Sequence, residues 1–127
     1  MAPIDEAEFE QALARIAEKR ERFPEAETHL RRALDLAPLQ VGRLIDLAKF
    51  LARRSRFQES DAIFEKAARL APDSPKLLFE RAGAYVGAKR NLEEARNLLS
   101  RYLKSSLTPD DPPRWEAERL LKKAQKG

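Results

Sequence analysis

The chain has no cysteine, one histidine and only four glycines in 127 residues. Each scarcity excludes something. Without cysteine there is no disulfide framework, no thiolate nucleophile and no Cys-based zinc or iron–sulfur site. His29 alone is too few imidazoles for a typical catalytic zinc site, so no metal and no cofactor is expected. Four glycines cannot build a glycine-rich phosphate cradle. No apolar run approaches the ~18 residues that a membrane span requires. The N-terminus, Met1-Ala2-Pro3-Ile4-Asp5-Glu6, is acidic where a secretory leader is basic and then apolar. The expectation by default is a soluble, cytoplasmic protein that does not engage membranes.

What is present is charge of both signs: 25 Lys and Arg against 21 Asp and Glu, 36% of the chain, with a net charge of +4. A mixture of this kind argues against disorder by self-repulsion, and +4 alone proves no nucleic-acid partner. The length suits one domain or a short run of repeats. Repeats are visible. Leu36-Ala37-Pro38 and Leu70-Ala71-Pro72 place their prolines 34 residues apart, and the same offset lays Leu13-Ala14 on Leu47-Ala48, Phe23 on Phe57, Leu30 on Phe64 and Ala33 on Ala67. A third copy starts near Pro75, with Ala82 at the place of Ala14 and Ala48.

Each copy carries two helical stripes separated by a polar turn. Leu44, Leu47, Ala48 and Leu51 recur at i, i+3, i+4, i+7, and Ile63, Phe64, Ala67 and Leu70 follow after Arg53-Arg54-Ser55-Arg56. Pro24 falls where a second helix begins, and Ser74-Pro75 reads as an N-cap with proline at the first helical position. Each copy is therefore a helix–turn–helix unit.

This pattern resembles the tetratricopeptide repeat (TPR), whose signature puts small or apolar residues at positions 4, 7, 8, 11, 20, 24 and 27 of a 34-residue unit and proline at 32. The copy from Ala7 supplies Leu13, Ala14, Ala17, Ala26, Leu30, Ala33 and Pro38, with Glu10 departing at position 4. The copy from Val41 matches throughout, with Leu44, Leu47, Ala48, Leu51, Ser60, Phe64, Ala67 and Pro72. The third copy departs: Arg81 stands where Leu is usual, Ala95 comes one place late, and Tyr102 takes the place of Ala33 and Ala67. The shift implies one extra residue in the turn Lys89-Arg90-Asn91, and the ring predicts a wider or rotated final contact. After Thr108-Pro109-Asp110-Asp111-Pro112-Pro113, a last helix carries Ala117, Leu120, Leu121 and Ala124 on one face. The expected fold is all-α, a right-handed α-solenoid of three TPR-like repeats (about 7–40, 41–74 and 75–108) with a C-terminal capping helix (about 112–125) forming one domain.

No constellation suggests catalysis. The carboxylate pairs Glu25/Glu27, Glu59/Asp61 and Glu93/Glu94 all begin a second helix, where negative charge complements the macrodipole. The chain is not expected to be an enzyme. Basic residues recur at the hairpin turns: Lys19, Arg20 and Arg22, then Arg53, Arg54 and Arg56, then Lys89 and Arg90. Helix C-termini favour cations, which explains their places without a ligand, while a basic ridge for a polyanion stays as the alternative. Nucleic acid is disfavoured because no aromatics interleave the cations. A docking part of a larger enzyme or assembly factor is the remaining alternative.

The resemblance implies a concave groove that binds a protein or peptide segment, extended or helical, acidic or amphipathic. Carried over residue by residue, it places Ile45, Phe79 and Val86 on an apolar groove floor, with Arg15, Lys49, Arg53 and Lys76 around them. In a second reading, the terminal helix covers these apolar residues itself through Leu120 and Leu121. TPR domains that clamp the C-terminal carboxylate of Hsp70 and Hsp90 use Lys and Asn, then Asn, then Lys and Arg, where this chain has Gln11, Arg15, Asp46, Lys76 and Glu80. Only Lys76 matches, and Asp46 and Glu80 are expected to repel the carboxylate, so that partner is not expected. Trp115 points nearly opposite the apolar centre of its helix, either packed on the Pro112-Pro113 turn or the third copy, or exposed as an anchor for a dimer or partner. The pattern leaves the oligomeric state open.

Overall fold

The computed structural model describes residues 5–126; Met1–Ile4, on which part of the leader argument rested, lie outside the described residues. Seven helices follow in order: α1 (Glu6–Lys19), α2 (Phe23–Leu36), α3 (Val41–Arg53), α4 (Phe57–Leu70), α5 (Pro75–Ala88), α6 (Leu92–Leu103) and α7 (Arg114–Lys126). They form an all-α helical-repeat solenoid of three consecutive hairpins, α1–α2, α3–α4 and α5–α6, with α7 packed on α5 and α6.

Local chemistry starts and stops these helices. Asp5 caps α1 by accepting from the Ala7 and Glu8 N–H groups at 2.9 and 3.3 Å, and Ser74 caps α5 by accepting from Leu77 N–H at 3.3 Å. Each hairpin turn contains a left-handed residue: Glu21 (φ 59°), Ser55 (φ 61°) and Lys89 (φ 55°). The third turn holds a second, Asn91 (φ 51°), and α6 begins 35 residues after α4 where α4 begins 34 after α2. The turn bond from Arg90 N–H to Tyr85 C=O repeats those from Arg22 to Ala17 and Arg56 to Leu51. The extra residue is thus placed after Arg90, at Asn91.

The core divides by hairpin. Ala14, Ala17, Ala26, Leu30, Leu47, Phe50 and Leu51 join the first hairpin to the second, and Leu44, Ile45, Ala48, Phe64, Ala67 and Leu77 join the second to the third. Buried Ser60 donates to the Ala48 carbonyl at 2.7 Å, which satisfies its hydroxyl while keeping the site small. Tyr102 is completely buried; its ring packs on Phe79 at 5.3 Å and its hydroxyl donates to Pro112 C=O at 2.5 Å. The bulky ring therefore anchors the proline-rich turn. Arg114 donates to the carbonyls of Leu103 and Ser105, and Arg96 donates to that of Ala124, so both ends of α7 are tied down.

Candidate functional site

Residues 34 apart occupy equivalent places on α1, α3 and α5, which lets the junctions between hairpins be compared. On the edge facing the next hairpin stand Gln11 and Glu18 on α1, Ile45 and Ala52 on α3, and Phe79 and Val86 on α5. The last two pairs are apolar and their helices pack directly, α3 on α5 and α5 on α7. The first pair is polar. Gln11 donates to the Asp46 carboxylate and accepts from Arg43, while Glu18 accepts twice from Arg53 at 2.7 and 2.8 Å. Nowhere do α1 and α3 bring Cα atoms within 8 Å; side chains bridge the gap.

Two clefts result. One of about 220 Å³ lies between α1 and α3, lined by Gln11, Ala14, Arg15, Glu18 and Asp46 with Leu30 behind them. The other, about 480 Å³, lies between the C-terminal halves of α3 and α5, where Ala52, Gly83, Ala84 and Gly87 form a bare wall ending at Phe57. Lys49 and Arg53 line both. A Cβ on Gly87 would meet nothing within 4 Å, so packing does not require that glycine; its effect is to leave the wall open.

The expected floor is corrected by this geometry. Ile45 is 0% exposed and belongs to the core between the second and third hairpins, because its edge of α3 faces α5. Phe79 and Val86 are half-buried against the cluster that contains Tyr102 and Ala117, together with Leu120 and Leu121. The last helix, which does not reach Ile45, covers Phe79 and Val86 with Leu120 and Leu121. It does so from the end of the array, since α7 packs on α5 and α6 and on none of α1 to α4. Trp115 is 59% exposed on the first turn of α7.

Of the expected cations, Arg15, Lys49 and Arg53 line the clefts, and Lys76 lines neither but acts on Asp46. Lys49 pairs with Glu80 at 2.7 Å, and Arg53 with Glu18. Arg15 and Lys76 are exposed and make no ion pair among the described residues. Asp46 sits between these groups, its side chain 21% exposed and 3.8 Å from Arg43. Burial pushes its carboxyl above the usual Asp value, while Lys76, Arg43, Lys49 and Arg15 draw it back. The Nε of Arg43 is buried without a hydrogen-bond partner, the one such side-chain atom among the described residues. Gln11, Arg43 and Asp46 thus form a polar hub that the sequence reading missed as a unit. Its signal was available at the 34-residue offset, where Gln11 and Glu18 oppose Ile45 and Ala52.

No family model matches the chain, and no curated protein matches it in sequence. Solved structures do. The first TPR of Spaghetti (RPAP3) bound to an HSP90 peptide, SRMEEVD, superposes with a TM-score of 0.74 at 22% identity, over 95% of this chain and 91% of that one. The TPR2B domain of yeast Sti1 in complex with pHsp70 gives 0.78 at 20% identity, over 95% and 97%. The Arabidopsis OM64 TPR domain gives 0.68 at 19% identity, over 93% and 95%. The chain has the fold of a TPR domain.

On this TPR fold the turn cations are largely engaged. Arg56 pairs with Glu27 at 2.5 Å, and Arg90 with Asp61 at 2.6 Å, a bridge repeated at the 34-residue offset. Arg54 lies 3.8 Å from the centre of the Phe23 ring and Arg90 lies 4.7 Å from that of Phe57. These contacts join successive hairpins. His29 Nδ1 lies 2.6 Å from the Glu10 carboxylate, where the next repeat has Ile63 and Leu44. The departing Glu10 is therefore matched by its partner. Among the described residues no group of three metal-ligating side chains converges, and no helix is long and apolar enough to cross a membrane.

Proposed function

We propose that the chain is a protein-interaction module, not an enzyme, and that it takes an acidic, extended peptide across the clefts between α1, α3 and α5. One observation carries this reading: among the described residues the carboxylates at the clefts are already paired, whereas Arg15 and Lys76 make no ion pair. Glu18 is held by Arg53, Glu80 by Lys49, and Asp46 by Gln11 and Arg43, which leaves the charges of Arg15, on the cleft between α1 and α3, and of Lys76, near Asp46, available to a ligand. Peptide carboxylates would meet Arg15 and Lys76, and backbone would lie along Gly83 and Gly87.

The same pairing removes the ground on which a chaperone carboxylate tail was excluded. Asp46 and Glu80 were expected to repel it, but Asp46 faces Lys76, Arg43, Lys49 and Arg15, and Glu80 is paired with Lys49. Two structural neighbours are complexes with HSP90 and Hsp70 components, so such a tail is the first probe to try. The polyanion reading is less favoured, because Arg53, Arg54, Arg56 and Arg90 are engaged within the array.

The test is fluorescence anisotropy with labelled SRMEEVD, its C-terminal amide and a Glu-to-Gln version. Binding that weakens tenfold or more in Lys76→Ala and Arg15→Ala supports the groove, and loss on amidation assigns the terminal carboxylate. If the acidic and neutral peptides bind alike, or neither variant matters, the reading fails.

A further inference from the structure

A second surface stands apart from the groove. On α1, Phe9 and Ile16 are 52% and 48% exposed, and Leu13 lies between them at helical spacing. This stripe points away from Ala7 and Ala14, which face the core, although its middle residue, Leu13, is half-buried near Ala17. Its meaning comes from the 34-residue offset. Phe9, Leu13 and Ile16 correspond to Arg43, Leu47 and Phe50 on α3, and to Leu77, Arg81 and Ala84 on α5. There the same places are covered by the preceding hairpin: Leu47, Phe50 and Leu77 are at most 1% exposed. On α1 the stripe has the composition of an inter-hairpin contact, and among the described residues the α1 contacts with α3 run through Gln11, Ala14, Ala17 and Glu18, leaving Phe9 and Ile16 exposed. The opposite edge of the array is different, since α7 turns Glu118, Arg119, Lys122 and Lys123 to solvent. Head-to-tail stacking would therefore set an apolar face against a charged one.

We propose that a second copy of this chain covers the stripe, through a two-fold, antiparallel pairing of α1 with α1. The charge pattern along the helix selects this arrangement. Asp5, Glu6 and Glu8 lie at one end and Lys19 and Arg20 at the other. An axis passing between Ala12 and Leu13 sets Phe9 of each copy against Ile16 of the other. It also brings Asp5 and Glu6 beside Arg20 and Lys19 of the second copy, twice over. A parallel pairing would oppose acid to acid. The interface is isologous and closes at two copies. With one helix from each subunit at its centre it falls at the small end of stable interfaces, so the dimer is reversible.

Multi-angle light scattering and sedimentation from ~1 to ~100 µM should show a monomer–dimer equilibrium. Phe9→Ser with Ile16→Ser should weaken association at least tenfold while circular dichroism stays unchanged, because both side chains are exposed. Glu6→Lys and Lys19→Glu should each weaken the dimer, and their combination should restore it. In a chain without cysteine, Ala12→Cys should cross-link two copies on oxidation, and Glu118→Cys on α7 should not. A chain that stays monomeric throughout overturns the proposal and leaves the stripe to a different partner. Dimers that ignore the Phe9 and Ile16 changes, or a charge exchange that restores nothing, overturn it equally.

Discussion

The first and second junctions of this solenoid occupy the same place in the repeat and are built from opposite chemistry. At the second, Ile45 disappears into the core and α3 lies on α5. At the first, Gln11 and Glu18 reach across to Arg43, Asp46 and Arg53, and the helices stay apart. Burying an aliphatic side chain contributes roughly 1.5–3 kcal/mol and rewards the closest approach. A hydrogen bond contributes about 0.5–1.5 kcal/mol net and fixes a distance. A polar junction therefore holds its helices apart, whereas the apolar one closes at Ile45 and leaves its cleft only where Ala52, Gly83, Ala84 and Gly87 supply little or no side chain. The cleft between α1 and α3 is spanned by the polar contacts of Gln11 and Glu18. The shared wall residues Lys49 and Arg53 connect it to the larger cleft beyond.

Exchanging the two chemistries should break the contrast. Ile45→Gln places an unsatisfied amide in the second junction and removes apolar contact, and should cost about 3–5 kcal/mol in urea denaturation. Gln11→Ala strips the half-buried Asp46 of its donor and should cost about 1–3 kcal/mol, with the loss shrinking in the Asp46→Asn background.

Smaller effects should appear on titration. Burial raises the Asp46 carboxyl above its ordinary 3.8, so the folded state holds that proton longer than the unfolded chain. Its contribution is full below 3.8 and is lost as pH rises through the raised folded value; Asp46→Asn should flatten that slope. Glu27 runs the other way. Its bond to Arg56, aided by Arg31, holds its carboxyl below the usual 4.5, so its contribution is present above 4.5 and disappears as pH falls through the lowered value. Thermal melts of Glu27→Gln should accordingly lose part of the acid sensitivity. Smallest of all, Lys76→Ala should change stability by less than about 0.5 kcal/mol while weakening capture of the acidic peptide. An equal loss of both would tie Lys76 to the fold and not to the groove.

Much of the fold was legible because periodicity and proline spacing are local properties. The inserted residue near Asn91 could be read from the late arrival of Ala95, and the last helix from Ala117, Leu120, Leu121 and Ala124. The candidate groove was legible only in its cations. Arg15, Lys49, Arg53 and Lys76 all border or approach the clefts, but which of them are paired depends on carboxylates up to 35 residues away, as with Arg53 and Glu18. Ile45, Phe79 and Val86 were misplaced on the groove floor for a definite reason. A helical wheel shows which side chains leave the hairpin's own core, but not whether the neighbouring hairpin or solvent receives them.

The sequence by itself determined the seven helices, their pairing into hairpins and the spacing of the turns, since apolar period, caps and turn residues act over a few positions. Only the tertiary structure decided where the groove lies. Stacking one hairpin on the next turns Ile45 inward, sets α7 over Phe79 and Val86, and commits Arg53, Arg56 and Arg90 to carboxylates of the adjacent hairpin. Those contacts join residues far apart in the chain, so they exist only once the hairpins have been brought together.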